Sequence, residues 1–275
     1  MTMNRSRALV LLPVLAVLAG CGYKDPVALV QDYFNFAIQG RFDRQYRLLL
    51  PAVKPVESKR AFVEQQEAWA VRRKLTAAEC TNKPGPGPLW RAIVKLTWDT
   101  GGKRPETGTR GITLANRSGR WYVLDTPAAR VEANEAYVAG DPGRATRLLQ
   151  RIVRLNPMDA EALDLLGYVL RDNIALKNNL ELAVEAHRRA IEIEPQNADW
   201  HLSLGNDYRL IGWREGAVEE LKKSASLAPR ATTYVWLGAA LASSGRIGPA
   251  REAWRQAIKL EPQNPQAHAY LEKTR

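Results

Sequence analysis

Apolar positions in the first third of the chain have the spacing of helices. Those between Val27 and Ile38 recur on one helical face, and Asp25-Pro26 before them is a good helix start. Gly40 follows and is a typical helix end. The segments 42–50 and 58–71 have the same spacing. The pattern therefore predicts three helices in this part of the chain.

The period then changes from about 3.6 to two. Residues 90–98 alternate apolar and polar side chains, which is typical of a half-buried strand. Shorter strands are predicted at 75–81, 110–115 and 120–125, with a hairpin turn at Asn116–Gly119. Helices followed by an antiparallel sheet predict an α+β domain.

The second half of the chain repeats itself with a period of about 34 residues. An alanine is followed 12 residues later by a proline, and successive prolines are 33 to 38 residues apart. Such a period predicts stacked helix–turn–helix units, which expose a long inner surface and form no deep catalytic pocket. The four copies are Ala145 to Pro157, Ala183 to Pro195, Ala217 to Pro229 and Ala250 to Pro262.

The best-preserved unit reads Leu204-Gly205 and Tyr208, then Gly212, Ala217 and Pro229. This pattern resembles the tetratricopeptide repeat family, and the unit at 231–264 resembles it again. The resemblance implies an all-α solenoid over residues 126–275, with about four units and a capping helix at the end. It also implies that the protein binds a protein or peptide partner.

The resemblance further indicates which side chains face the inner surface. Asn134 and Asn206 hold the position at which the family grips a peptide backbone, and Arg130 or Arg209 could pair with a ligand carboxylate. We expect Tyr168 and Arg209 to lie outside packing positions. The predicted partner groove consists of Arg130, Asn134, Tyr137, Asp164, Tyr168, Arg171, Asn206 and Arg209.

Two alternatives to this groove remain open at the level of sequence. The inner face could be a solvated surface whose ligand binds elsewhere. The unit at 160–197 carries a four-residue insertion, near Arg171 to Asn179, and insertions in repeats often form binding loops.

The N-terminus has the features of an export signal. Arg5 and Arg7 precede an apolar run that is too short to span a bilayer and ends in Leu18-Ala19-Gly20-Cys21. This ending resembles the bacterial lipobox, which implies a signal peptide at 1–20 and acyl chains such as palmitate on Cys21. Gly22 favours the periplasmic side of the outer membrane of a Gram-negative host. The inner membrane, or an ordinary secretory signal with a chance cysteine, are the alternatives.

Residues 21–125 resemble the nuclear-transport-factor-2-like domains, on the strings 32–43 and 119–125. The resemblance implies a cone-shaped α+β domain, whose relatives include both enzymes and binding modules. The predicted sheet contains no histidine, and Asp32 and Asp99 are its candidate edge carboxylates. Its inward candidates look like packing residues: Trp90, Val94, Leu96, Trp98, Ile112 and Leu114.

Residues 126–275 show no sign of enzymatic chemistry. His187, His201 and His268 are far apart with no cysteine nearby, so they predict packing or surface rather than a metal site. Trp213 and Trp254 are predicted to lie in the core between helices. The whole sequence lacks a phosphate loop and a nucleophile elbow. We therefore expect no cofactor, no metal and no catalytic residues.

Positive charge is concentrated in the first domain. Residues 22–125 contain 18 Lys and Arg against 10 Asp and Glu, a net charge of +8, whereas residues 126–275 have a net charge of +1. A basic surface attracts anionic headgroups or an acidic partner. Nucleic acid is a poor partner for an exported protein.

Together these features predict a lipid-anchored periplasmic scaffold or adaptor that binds a protein through its repeats, within an envelope assembly. One alternative is a hydrolase or isomerase whose site lies inside the N-terminal cone. Another is a protein that binds anionic lipid or cell-wall polymer.

Overall fold

The structure, a computed structural model, describes residues 23–72, 74–84, 87–99, 105–173 and 178–274. The predicted signal peptide, the lipid-attachment residue Cys21 and residues 174–177 of the predicted insertion lie outside the described residues. Within those ranges, no helix combines the length and apolar character that a membrane span requires.

The first part of the chain forms an α+β domain with an antiparallel sheet in the order β1-β2-β3-β4. Its first helix begins as predicted, because the Asp25 carboxylate accepts a hydrogen bond from the backbone N–H of Val27. The helices are α1 (Pro26–Ile38), α2 (Phe42–Arg47) and α3 (Lys59–Arg72); the strands are β1 (Lys74–Cys80), β2 (Leu89–Asp99), β3 (Glu106–Arg117) and β4 (Arg120–Leu124).

Helix α1 packs against β1 and β4, and the apolar core lies between helices and sheet. Tyr33, Phe62 and Leu114 are fully buried there. The side chains predicted to face inward do so, except that Trp98 is only partly buried. The inner face of the sheet is therefore filled by apolar packing.

Strand β3 is longer than the sequence pattern predicts. It begins at Glu106 rather than Arg110, because Glu106 pairs with Trp98 and the whole length of β2 is matched. The added residues are mostly exposed and show no apolar alternation, so the pattern could not reveal them. The predicted hairpin turn is confirmed by the left-handed φ angles of Ser118 and Gly119, 53° and 77°.

The rest of the chain consists of antiparallel helix pairs, each joined by a short turn, and a final helix. We number the pairs as units 1 to 4. They are α4 (Pro127–Val138) with α5 (Pro142–Leu155), α6 (Ala160–Asp172) with α7 (Asn179–Ile193), α8 (Ala198–Leu210) with α9 (Arg214–Leu227), and α10 (Ala231–Ser243) with α11 (Ile247–Leu260), followed by α12 (Pro265–Lys273).

Three helices of the repeats begin at side chains that are typical N-terminal caps. Asp159, Asn197 and Asn264 each accept a hydrogen bond from a backbone N–H in the first turn of the helix that follows. Proline occupies the first position of α12, where its missing N–H costs nothing.

Glycine at the crossing of each later helix pair allows close approach. A Cβ atom on Gly167 would lie 2.3 Å from His187 Nε2, and one on Gly205 would lie 2.7 Å from Leu221 Cγ. On Gly238 it would lie 2.2 Å from Trp254 Nε1. These positions therefore require glycine.

The buried apolar residues of the repeats form two clusters, one in units 1 and 2 with Trp200 of α8, and the other in units 3 and 4 with α12; Ile191 of α7 packs against both. Trp254 is 1% exposed and lies in the second cluster, as predicted. The prediction for Trp213 is wrong: it stands in the turn before α9, packs one ring face near Tyr208 and is 52% exposed. A residue in a turn can cover the edge of a core without entering it.

A buried carboxylate joins the α+β domain to unit 1. Glu57 is fully buried and accepts hydrogen bonds from the backbone N–H groups of Ala128 and Ala129, each at 2.9 Å, in the first turn of α4. Burial raises the pKa of Glu57 to about 7 although these hydrogen bonds oppose the shift. The carboxylate thus caps a helix of the neighbouring domain.

Further contacts fix the sheet against units 1 and 2. The Asn156 side-chain amide donates to the carbonyl of Leu124 (3.1 Å), and the Arg91 guanidinium donates to the carbonyl of Met158 (2.8 Å). Arg91 also forms an ion pair with Glu194 at the end of α7. The two parts of the chain therefore share a continuous polar interface.

Candidate functional site

The first helix of each unit lines the inner face of the solenoid. Helices α4, α6, α8 and α10 contact each other in series, whereas the second helices contact the first helix of the next unit. Each residue of the predicted partner groove lies on α4, α6 or α8. The structure divides these residues between internal contacts and open surface.

Arg130 is occupied by carboxylates of the protein itself. Its guanidinium lies 2.7 Å from Asp159, 2.9 Å from Glu161 and 3.8 Å from Asp125, and its side chain is 15% exposed. Burial alone would lower the pKa of Arg130, but the three carboxylates together raise it by a larger amount. The net pKa is therefore raised. The sequence predicts that Arg130 could pair with a ligand carboxylate. In the structure its guanidinium is already paired with carboxylates of the protein, at the junction between the α+β domain and the repeats.

Asp125 is the centre of that junction. Its carboxylate accepts hydrogen bonds from the Tyr33 hydroxyl (2.7 Å) and from Arg110 (3.0 Å). Burial would raise its pKa, but the charges of Arg110 and Arg130 lower it below the ordinary value. Asp125 thus stays ionised in the interior.

Three predicted groove residues belong to a buried arrangement between units 2 and 3. Asp164, Tyr168 and Arg171 are joined there by residues that the prediction did not include. We call the set the polar cluster; its members are Asp164, Tyr168, Arg171, His187, Ser203 and Asp207.

The polar cluster centres on a buried contact between a histidine and an aspartate. His187 Nδ1 lies 2.5 Å from Asp207 Oδ2, and Arg171 approaches the other oxygen of Asp207 at 3.4 Å. Both His187 and Asp207 are fully buried. The contact joins α7 of unit 2 to α8 of unit 3, so a buried polar contact crosses the boundary between these units.

Tyr168 takes part in this packing. Its ring contacts His187 edge-on, the Arg171 guanidinium lies 4.7 Å from its ring centre, and the Ser203 hydroxyl is 2.8 Å from its hydroxyl. Ser203 also donates to Asp164, whose pKa burial raises to about 6. The expectation that Tyr168 lies outside packing positions is wrong, because its partners come from two other helices.

Tyr137 forms a link between units 1 and 2. Its hydroxyl donates to Asp172, and this hydrogen bond together with burial raises its pKa. Its side chain remains partly exposed at the inner face.

The open part of the predicted groove is smaller. Asn134 is exposed, and its side chain makes no hydrogen bond within the described part of the chain. On units 3 and 4, the side-chain oxygen Oδ1 of Asn206 accepts two hydrogen bonds from the Arg209 guanidinium (3.0 and 3.2 Å), which lies 4.9 Å from the ring centre of Trp236. We call Asn206, Arg209 and Trp236 the open patch.

Sequence reasoning missed Trp236 and the His187–Asp207 pair. Val235 is 1% exposed, whereas its neighbour Trp236 lies beside Arg209. A signal for the pair existed, because His187 stands at the repeat position where units 3 and 4 have Leu221 and Trp254. A polar residue at a buried apolar position predicts a buried partner.

Within the ranges that the structure describes, no three His, Cys, Asp or Glu side chains form a group that could hold a metal ion. His201 pairs with Glu220 at 2.6 Å, and this hydrogen bond raises the pKa of the histidine. His268 is exposed, and its Nε2 is 2.8 Å from the carbonyl of Pro262.

Comparison with known proteins identifies the repeats. The family model of the tetratricopeptide repeat matches residues 231–264, the fourth unit. Small glutamine-rich tetratricopeptide repeat-containing protein 2 of Mycosarcoma maydis is 31% identical over 83 residues, which are 30% of this chain and 24% of that protein. The chain thus spans about a quarter of the length of this relative.

Solved structures of similar fold include MamA of Desulfovibrio magneticus RS-1, at 23% identity and a TM-score of 0.49, covering 53% of this chain and 81% of that one. A thermophilic tetratricopeptide-repeat protein of Thermus thermophilus is 22% identical with a TM-score of 0.48, covering 55% of this chain and 81% of that one.

The family match supports the predicted tetratricopeptide repeat in unit 4, and helix pairs of the same kind precede it from Pro127 to Leu227. Proteins with such repeats act as scaffolds or adaptors that bind other proteins.

Proposed function

We propose that this protein is a non-enzymatic scaffold that binds a protein partner along the inner face of its repeats. The observation that carries the proposal is the open patch. Arg209 donates two hydrogen bonds to the Asn206 side chain on its own helix and stacks on Trp236 of the next unit. Its guanidinium is therefore oriented before any ligand binds. Tryptophan and arginine are the residue types that dominate binding energy at protein interfaces.

The α+β domain supports the scaffold rather than the enzyme. The inner face of its sheet is filled by apolar side chains, and its buried Glu57 and Asp125 are bound by groups of the protein itself. These carboxylates join the domain to the repeats.

We place the scaffold at a membrane of the bacterial envelope, on the periplasmic side of the outer membrane, within an envelope assembly. The support for this location is the sequence Leu18-Ala19-Gly20-Cys21 after a short basic and apolar stretch. Stable anchoring requires more than one acyl chain, which lipidation at Cys21 would provide.

The open patch is tested by cross-linked capture of partners from envelopes. Arg209→Ala and Trp236→Ala should each reduce the amount of the specifically captured partner at least about tenfold, because interface hot spots contribute about 2 kcal/mol or more. Arg255→Ala is the matched control, since Arg255 is exposed on the second helix of unit 4 and, among the residues that the structure describes, forms an ion pair only with Glu252 on its own helix.

The competing site is the insertion in unit 2. Full capture by the Arg209 and Trp236 variants, with loss of the partner when residues 174–177 are deleted, would overturn the groove proposal.

The anchor is tested by fractionation. Cys21→Ser should move the protein from the membrane fraction to the soluble periplasmic fraction, because the thiol that accepts the lipid is gone. A Cys80→Ser variant is the control, since Cys80 is a partly buried residue of β1. If the Cys21 variant stays in membranes as fully as wild type, the lipoprotein proposal fails.

A further inference from the structure

A cleft of about 560 Å³ lies where the α+β domain meets the repeats. Gln66 and Trp69 of α3 and Trp98 of β2 line one wall. Val131 and Asn134 of α4, with Leu165 of α6, line the other. The volume is within the usual range of ligand sites, and the cleft opens onto the inner face of unit 1.

The charges at one end of the cleft are already neutralised. Arg110 pairs with Asp125 at 3.0 Å, and Arg130 pairs with Asp159 and Glu161. A charged ligand group would have to break one of these pairs, at the cost of leaving a partly buried charge unpaired. The cleft therefore suits a ligand segment without formal charge.

Two side-chain amides from different domains line the cleft. Gln66 is only 6% exposed, and its amide makes no hydrogen bond within the described residues. Its amide atoms are nevertheless not among the fully buried atoms without a partner, so they reach the solvent that fills the cleft. Asn134, on the opposite wall, is also without a side-chain hydrogen bond in the described ranges.

A carboxamide offers both a donor and an acceptor, and this is the complement of a peptide unit. Between the two amides the walls are apolar: Trp69 and Trp98 meet edge-to-face with ring centres 6.4 Å apart, opposite Val131 and Leu165. Such walls accept one large apolar side chain.

We propose that this cleft binds an uncharged, extended segment of the partner polypeptide, with one large apolar side chain between the tryptophans and the repeat helices. The inference rests on the proposed function and adds a second anchoring point to it. Gln66 and Asn134 hold the backbone of the segment, and the apolar walls select its side chain.

The position of the cleft predicts the spacing of the partner's sequence. Asn134 lies on α4 and the open patch begins on α8, two helices along the inner face. Neighbouring helices pack about 8–10 Å apart, so the two anchoring points are separated by roughly 16–20 Å. Extended chain covers about 3.3 Å per residue. The partner's apolar residue and the acidic residue that pairs with Arg209 should therefore be about five or six positions apart in its sequence.

The test uses random 12-residue peptides displayed on phage, selected on the full chain in detergent. Selected peptides should share an apolar or aromatic residue and an acidic residue five or six positions away. Their affinities are then measured by fluorescence anisotropy for wild type and variants.

Gln66→Met removes the amide at nearly constant volume and should weaken binding about threefold to tenfold, the worth of one net hydrogen bond. Val131→Trp fills the cleft and should weaken binding about tenfold or more. Gln150→Met is the matched control, because Gln150 is exposed on α5 outside the cleft, and it should leave affinity unchanged. Circular dichroism verifies that each variant is folded.

The outcomes separate the two proposals. Peptides that bind both cleft variants like wild type but lose affinity with Arg209→Ala would overturn the cleft and leave the scaffold function standing. A failure to enrich any peptide, or peptides insensitive to both sets of variants, would overturn both. Binding of tri-N-acetylchitotriose that Val131→Trp abolishes, without peptide binding at the cleft, would show a glycan site and overturn the ligand class.

Discussion

Units 2 and 4 have the same helix crossing but fill it with opposite chemistry. In unit 4, Trp254 packs over Gly238, stacks on Tyr270 of α12 and donates its indole N–H to the carbonyl of Val235. In unit 2, a histidine occupies the same position over its glycine and pairs with an aspartate of the next unit. One crossing completes an apolar core within its own neighbourhood, whereas the other carries an ionic contact across a unit boundary.

The difference teaches that the repeat pattern specifies backbone geometry and leaves the chemistry of the crossing free. Because the polar cluster connects α6 and α7 of unit 2 to α8 of unit 3, units 1 and 2 are joined to units 3 and 4 through polar groups as well as through the apolar contacts of Trp200 and Ile191. Apolar packing tolerates small shifts, but a buried ion pair stabilises only one register. The boundary between units 2 and 3 should therefore be the most sensitive to loss of a single side chain.

The largest effect is expected at that boundary. Asp207→Ala leaves His187 and Arg171 buried without their carboxylate and should lower the free energy of unfolding by about 3–5 kcal/mol. The measurement is urea unfolding followed by circular dichroism. Asp199→Ala removes an exposed pair with Arg230 and should cost less than about 1 kcal/mol. Equal costs for the two variants would contradict the importance of the polar cluster.

The crossing in unit 4 should be next in size. Gly238→Ala places a methyl group against the rigid ring of Trp254 and should cost about 1–3 kcal/mol through overpacking. Gly248→Ala is the control, because a Cβ there meets nothing within 4 Å, and it should be neutral or slightly stabilising. A melting temperature that is the same for both variants would rule out the tight crossing.

The smallest predicted effect is on the pH dependence of the free energy of unfolding, to which the two crossings should contribute differently. Burial raises the pKa of Asp164 in the polar cluster from its ordinary 3.8 to about 6, so the folded state binds this proton more tightly than the unfolded state does. The stability from this group is complete below about pH 4 and is lost as pH rises through 6. Asp164→Asn should flatten the pH dependence of unfolding by about 1–2 kcal/mol between pH 4 and 7.

Wild type and the Asp164 variant share Glu57, whose pKa is raised in the same direction, so their difference isolates the polar cluster. The Trp254 crossing contains no titrating group, and Trp254→Phe should leave the pH profile of wild type unchanged in shape. An Asp164→Asn profile parallel to that of wild type would disprove the shift.

The sequence was sufficient for features that depend on local pattern. The helix caps, the hairpin turn, the glycines under Leu221 and Trp254, and the repeat period all follow from residues close together in the chain. Each is set by backbone geometry that only a few residue types can adopt.

The candidate site was predicted less completely, because side chains choose partners that are distant in sequence. Position in the repeat placed Arg130 and Tyr168 at the inner face, but nothing local shows that Asp125 and Ser203 would occupy them. The cleft was missed for the same reason, since Gln66 and Asn134 meet only through the packing of two domains. The sequence predicted which surface of the repeats faces inward, but not which of its side chains are occupied by contacts within the protein.

The backbone of Tyr23 pairs with Trp121 at the edge of the sheet, in both directions, at 3.0 and 2.7 Å. Tyr23 is only two residues after Cys21, and two residues of chain reach about 7 Å at most. With the proposed lipid on Cys21, the linker between the bilayer and the folded domain would be only two residues long. The sheet edge that holds Tyr23 would therefore stay close to the lipid surface, with little freedom to move away from it.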